Sequence, residues 1–317
     1  MAQYRNRLPQ LEGGAFLSDG GLETTLIFHD SVHLPHFASF VLLADPSGRQ
    51  RLAGYYRRYL TLARRAGIGF VLDTPTWRAS PDWGAALAYD LAALAAANAD
   101  AVALMSELRH AFESPDCPCV ISGVIGPRGD GYRVGEMTAA AAEDYHAWQI
   151  ACFAGTAADM VTAYTLTTTT EAIGIARAAA ANGLPCALSF TVETDGRLAG
   201  GESLQAAIET VDDATGGSPA YFMVNCAHPI HVLRSLGASG AWRARILGVK
   251  ANASTKSHAE LDNATTLDDG DPTDFGARFH GLRDALPAMR LFGGCCGTDH
   301  RHAAAICEAC FAPQGAA

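Results

Sequence analysis

The chain has 317 residues, 49% of them hydrophobic and 18% charged, with a formal net charge of −10. That balance excludes disorder and supplies material for a large core. The acidic excess excludes a sequence-independent nucleic-acid surface, which needs clustered Lys and Arg.

The first nine residues carry Arg5 and Arg7 but lead into Gln10, Glu12 and two glycines, so no secretory signal is read there. The Ala-rich stretch 85–105 is interrupted by Asp90, Asn98 and Asp100, short of the roughly 18 uninterrupted apolar residues of a membrane span. A soluble protein with no membrane partner is expected. Nine cysteines, an odd number with several in tight pairs, read as thiols or metal ligands in a reducing cytoplasm rather than as a disulfide framework.

In chain order, short apolar β-rich runs fall at 15–18, 69–73, 119–122, 159–165, 186–191, 220–224, 245–249 and 289–292. Between them, 49–65, 85–112, 139–157, 170–181, 204–211 and 275–286 carry apolar residues at helical spacing, with Thr170 as a helix N-cap. Eight strands alternating with helices predict an α/β fold, a (β/α)8 barrel forming one domain over 1–317. An open doubly wound sheet is the alternative. In either, strand ends form the active face, and polar residues gather there: Asp19-Gly20-Gly21, Thr74-Pro75-Thr76-Trp77, Tyr164-Thr165, Glu193-Thr194-Asp195, Asn225-Cys226, Asn252 and the run Gly293 to Gly297.

Cys226 ends the sixth run, and Cys295 and Cys296 follow the eighth. Three thiolates on a zinc ion leave a fourth tetrahedral position open, as in a catalytic site. Glycines beside Cys295 and Cys296 let adjacent side chains turn toward one point. On residues alone, buried thiols and a vicinal disulfide stay open beside a metal site. His228 and His231 are further candidate ligands. Cys307 and Cys310, three apart on a terminal helix, read as packing, and Cys117, Cys119, Cys152 and Cys186 as structural.

Asp19-Gly20-Gly21 with Thr24 and Leu26, the strand Ser189-Phe190-Thr191-Val192 followed by Asp195-Gly196, Asn225-Cys226, Asn252 and Gly293-Gly294-Cys295-Cys296-Gly297 together resemble the homocysteine S-methyltransferase family over nearly the whole chain. The resemblance implies a (β/α)8 barrel with zinc held by Cys226, Cys295 and Cys296. It further implies that Asp19 binds the amino group of the acceptor. Backbone amides near Gly20, Gly21 and Gly297 would meet its carboxylate, and Asn225 and Asn252 would line the pocket. In one departure, Tyr164 stands where the family ends its fourth strand with a glutamate that helps hold the amine; Glu193 is the expected substitute.

A free thiol is mostly protonated at neutral pH, and zinc coordination removes that proton. Attack of the thiolate on a sulfonium or quaternary ammonium methyl group neutralises charge, a step favoured in a dry pocket. Trp77 and Tyr164 are candidates for a cation–π wall around such a donor. The expected function is zinc-dependent methyl transfer from a small onium donor, of the S-methylmethionine, S-adenosylmethionine or betaine type, to homocysteine, giving methionine. Alternatives are another thiol or selenol acceptor, or a non-catalytic zinc- or thiol-sensing barrel. A vicinal-disulfide oxidoreductase lacks a dinucleotide fingerprint. Nothing in the sequence specifies an oligomeric state.

Overall fold

A computed structural model describes residues 1–311. The chain closes into an eight-stranded barrel: β1 (Phe16–Leu17), β2 (Gly69–Asp73), β3 (Cys119–Ile125), β4 (Met160–Leu166), β5 (Cys186–Phe190), β6 (Tyr221–Asn225), β7 (Ile246–Ala251) and β8 (Leu291–Gly294). Each strand pairs in parallel with the next, and β8 returns to β1 through Phe16 opposite Leu291. Every expected run overlaps its strand, so the closed barrel replaces the open-sheet alternative.

Side-chain alternation divides the strands between two cores. Inward, Phe16, Val71, Val120, Val124, Met160, Tyr221, Met223 and Leu291 fill the barrel. Outward, Phe70, Leu72, Cys119, Ile121, Val161, Leu188, Phe222 and Phe292 pack against the surrounding helices. The period of two thus places both layers, while consecutive apolar residues show that the strands are buried on both faces.

Local chemistry sets the helix boundaries. Asp45, Asp90, Thr138 and Ser203 each accept a backbone N–H of the first turn of the helix they precede. The expected 85–112 helix is two helices, Pro81–Ala86 and Leu91–Phe112, because Asp90 caps a new start after Ala88 turns to a φ of 60°. The helix after β4 begins at Thr169 with Thr168 as its cap, its side chain accepting from the Glu171 N–H; Thr170 lies inside the first turn. By length and composition, Leu91–Phe112 is apolar enough to cross a membrane, contrary to the sequence reading. Its Leu94, Ala101, Leu104, Met105 and Leu108 are instead buried within this fold.

The N-terminal segment closes the end of the barrel opposite the strand C-termini. Leu8 joins the inner core, and Gln10 is buried with its amide 3.3 Å from the Tyr221 hydroxyl. Asp159, at the start of β4, is buried and accepts Arg109 Nη1 at 2.8 Å and the N–H groups of Gln3, Tyr4 and Ile121 at 2.7, 2.8 and 2.9 Å. With that end sealed, the strand C-termini open onto a cavity.

Candidate active site

A cavity of about 380 Å³ opens at the strand C-termini, lined among others by Asp19, Gly20, Gly21, Thr24, Asp73, Trp77, Arg78, Tyr132, Tyr164, Asn225, Lys250, His258 and all three expected cysteines. β6 and β8 flank β7, so the loops carrying Cys226 and Cys295-Cys296 converge. The three sulfurs lie within 4.8 Å of one another, the one metal-competent group of His, Cys and carboxylates among the described residues. Cys226 and Cys295 are joined as a disulfide with Cα atoms 5.5 Å apart, and the other seven cysteines are free. This corrects the expectation of free thiols throughout, and the disulfide is not the vicinal one. The loops after β6 and β8 bring Cys226 onto Cys295, with Cys296 Sγ beside them.

Zinc–thiolate bonds of about 2.3 Å put tetrahedral sulfurs roughly 3.8 Å apart, so the reduced trio suits a metal of this kind. Burial pushes the Cys296 thiol up to about 11, so a neighbouring cation is needed to hold it as thiolate at neutral pH. A three-thiolate site would draw on the same sulfurs as the disulfide.

The cysteine loop is held from behind. Cys226 has a φ of 52°, a left-handed conformation a non-glycine residue keeps only when its surroundings hold it. Its carbonyl accepts His258 Nε2 at 2.6 Å and Asn252 Nδ2 at 3.0 Å, while its N–H donates to Lys250 O. Glu193 accepts from His258 Nδ1 at 3.0 Å and so orients that ring. Neither Glu193 nor Asn252 lines the cavity; each supports Cys226 instead of meeting a substrate. Tyr132 stacks on His258 with ring centroids 4.4 Å apart, and its hydroxyl lies 3.6 Å from Cys226 Sγ and 3.8 Å from Cys296 Sγ. His228 caps the short helix Pro229–Ser235, and neither it nor His231 joins the sulfurs.

Beside the cysteines the β1 and β8 loops touch through backbone. A Cβ on Gly21 would lie 2.6 Å from Cys295 O, an approach only glycine permits. The Gly21 N–H donates to Thr298 O, and the Gly297 N–H to Thr24 Oγ1. These two amides, expected to meet a substrate carboxylate, are thus engaged within the chain. Asn225 likewise braces the mouth: its Oδ1 accepts from the Thr165 N–H at 2.9 Å and from Ser189 at 2.7 Å.

The floor carries the charge the sequence reading missed. Lys250 Nζ lies 2.5 Å from Asp19 Oδ1 and 2.9 Å from Asp73 Oδ2. Burial alone would lower the Lys250 pKa, but the two carboxylates outweigh it and raise it, so the ammonium persists. Tyr164 donates to Asp73 Oδ2 at 2.8 Å and its ring sits 5.0 Å from Lys250 Nζ. Trp77 likewise faces Arg78, whose guanidinium carbon lies 4.1 Å from its ring centroid. Both expected donor-wall aromatics therefore already face cations of the chain itself. The second acid beside Asp19 is Asp73 from β2, not Glu193. Near the rim, Glu23 accepts from Ser39 at 2.7 Å, and burial raises its pKa.

The chain shares its fold with proteins of known structure. Among solved structures it resembles the homocysteine methyltransferase MmuM from Escherichia coli. The metallated form has a TM-score of 0.70 at 20% identity, covering 96% of this chain and 99% of that one. The oxidized form gives 0.72 at the same identity and coverage, and the apo form 0.63 at 20% identity, covering 96% and 98%. At that identity the likeness shows the fold. No curated protein matches the sequence. The profile of the Homocysteine S-methyltransferase family matches residues 16–310, from β1 to the terminal helix, and the chain belongs to that family of enzymes.

Proposed function

We propose that the reduced chain holds a zinc ion through Cys226, Cys295 and Cys296 and transfers a methyl group from a small onium donor to a homocysteine-type thiol. The observation that carries this is the gathering of three sulfurs from two loops within 4.8 Å, on the wall of a cavity otherwise closed at its base. A zinc ion there supplies Lewis acidity that keeps an acceptor thiol deprotonated at neutral pH. Likeness to a protein solved in metallated and oxidized forms supports the pairing of a metal state with a disulfide state.

The chain's own residues do the rest. His258, Asn252 and Glu193 fix Cys226, and Tyr132 covers the sulfurs and keeps bulk water from them. Glu23, Asp130 and Asp262 give the rim an acidic field that attracts a cationic donor. In the transfer, the acceptor sulfur's electron pair forms the new S–CH3 bond as the onium bond to that carbon breaks. The thiol proton goes to solvent, and the donor departs as a neutral thioether or amine. With homocysteine the product is methionine.

A second reading keeps this chemistry and changes the acceptor; the Lys250 bridge across Asp19 and Asp73 favours it. The test of the common chemistry is zinc content and methyl transfer on protein reduced before metal loading, with several onium donors. Cys226→Ala should lose bound zinc and turnover while keeping the wild-type melting temperature within a few degrees. Full turnover without zinc, or in that variant, rejects the proposal.

A further inference from the structure

Three charged side chains from separate strands meet on one nitrogen at the cavity floor. Asp19 follows β1, Asp73 ends β2 and Lys250 lies on β7. Lys250 Nζ takes one oxygen of each acid, at 2.5 Å and 2.9 Å. The other Asp19 oxygen accepts from the Tyr55 hydroxyl at 3.2 Å, so both have donors before any ligand arrives. Only Asp73 Oδ1 lacks a donor, and it is buried. A substrate ammonium entering here would have to break the Lys250–Asp19 pair or sit beside a like charge in a water-poor site. Either is costly, because removing one partner of a buried pair strands the other.

We propose that Lys250 is a built-in replacement for a substrate ammonium, so that the cavity accepts thiols with no ammonium at their inner end, such as mercapto-carboxylates, at least as readily as homocysteine. This rests on the methyl-transfer reading above and adds a class of acceptor to it. Arg78 gives such a carboxylate its counterpart. Its guanidinium lies between the rings of Trp77 and Trp83, 4.1 and 3.9 Å from their centroids, and lines the cavity. It donates to Gly129 O at 2.6 Å, its Nε has no partner, and among the described residues no carboxylate lies within ion-pair distance of it. The floor thus sets one internal ammonium against two carboxylates, while the Arg78 guanidinium stands on the wall.

The test compares two thioethers that differ only in the α-ammonium: methionine and 4-(methylsulfanyl)butanoate, the methylated forms of homocysteine and 4-mercaptobutanoate. Their binding to the reduced, metal-free full chain is measured by calorimetry. A carboxylate-anchored ammonium would favour methionine by about tenfold or more. The expected result is that the butanoate binds as tightly as methionine or more tightly. Lys250→Met/Asp73→Asn removes one charge of each sign and frees Asp19, and should shift the preference toward methionine by about tenfold. Lys250→Arg should keep the wild-type order. Tighter methionine binding by the wild type overturns the proposal, as does failure of the butanoate to bind. A folded double variant whose preference moves by less than threefold also overturns it; if that variant does not fold, the wild-type comparison decides alone. A parallel assay of methyl transfer to the two thiols by zinc-loaded enzyme reads the other question: transfer to neither rejects the methyl-transfer function, while the binding comparison still decides the role of Lys250.

Discussion

His258→Ala should weaken zinc binding without touching a zinc ligand. The Cys226 carbonyl has three donors, His258 Nε2 at 2.6 Å, Asn252 Nδ2 at 3.0 Å and Thr191 Oγ1 at 3.5 Å, and the variant removes the shortest. Losing one hydrogen bond from an acceptor that keeps two other donors costs about 0.5–1.5 kcal/mol. That cost falls on a residue already held at a φ of 52°, so it appears as freedom of the ligand loop. Loss of an outer partner of a metal ligand typically lowers metal affinity about 10–100-fold, or about 1.4–2.7 kcal/mol, and the hydrogen-bond figure points to the tenfold end. The Tyr132 ring loses its stacking partner as well, while Glu193 is accessible enough to take water in place of His258. The measurement is competition for zinc against a chromogenic chelator, on reduced protein, with the melting temperature of the metal-free form beside it. Glu193→Gln, which keeps an acceptor for His258 Nδ1, should fall between wild type and His258→Ala. A zinc dissociation constant within threefold of wild type in His258→Ala would refute the reasoning. So would a fall in metal-free stability large enough to account for the whole loss.

Two further outcomes concern stability away from the cavity. Asp159→Ala strands Arg109 in the sealed base and should cost about 3–5 kcal/mol in denaturant unfolding, with kcat/KM at 25 °C unchanged; a loss below about 1 kcal/mol contradicts the assignment. For Asp299, burial alone would raise the carboxyl pKa, but hydrogen bonds from His302 and Arg301 outweigh it and hold it well below the usual range, with His29 3.8 Å away. A lowered folded-state pKa gives stability that is present above the unfolded value near 3.9 and is lost as pH falls toward the folded one. Asp299→Asn should therefore flatten the decline in melting temperature below about pH 4, and an unchanged acid limb would contradict it.

The strands were legible because burial on both faces leaves uninterrupted apolar runs, and such runs are local. Helix starts were less so. The break before Leu91 depends on Asp90 capping a new helix, and Thr168, Thr169 and Thr170 offer three chemically similar caps. The cysteine trio was reached through its glycines and its family resemblance; the pairing of Cys226 with Cys295 was not, since it depends on how far two loops approach. Lys250 and Asp73 went unread because each sits at the end of an apolar strand and their meeting is a tertiary event 177 residues apart. A signal was present: a lone lysine after Ile-Leu-Gly-Val, at the active end of a buried strand, rarely stands there without an acid. Glu193 was assigned by proximity to a strand end, but it reaches sideways to His258. Tyr132 had no signal in sequence, because its loop comes to the sulfurs only through the fold.

The three sulfurs of the proposed metal site flank β7, one after β6 and two after β8, the strand that pairs back onto β1. During synthesis, any nascent fragment ending before residue 295 owns at most one of the three. An ion bound by all three sulfurs would therefore tie the last three strands together, and its uptake would report the pairing of β6, β7 and β8.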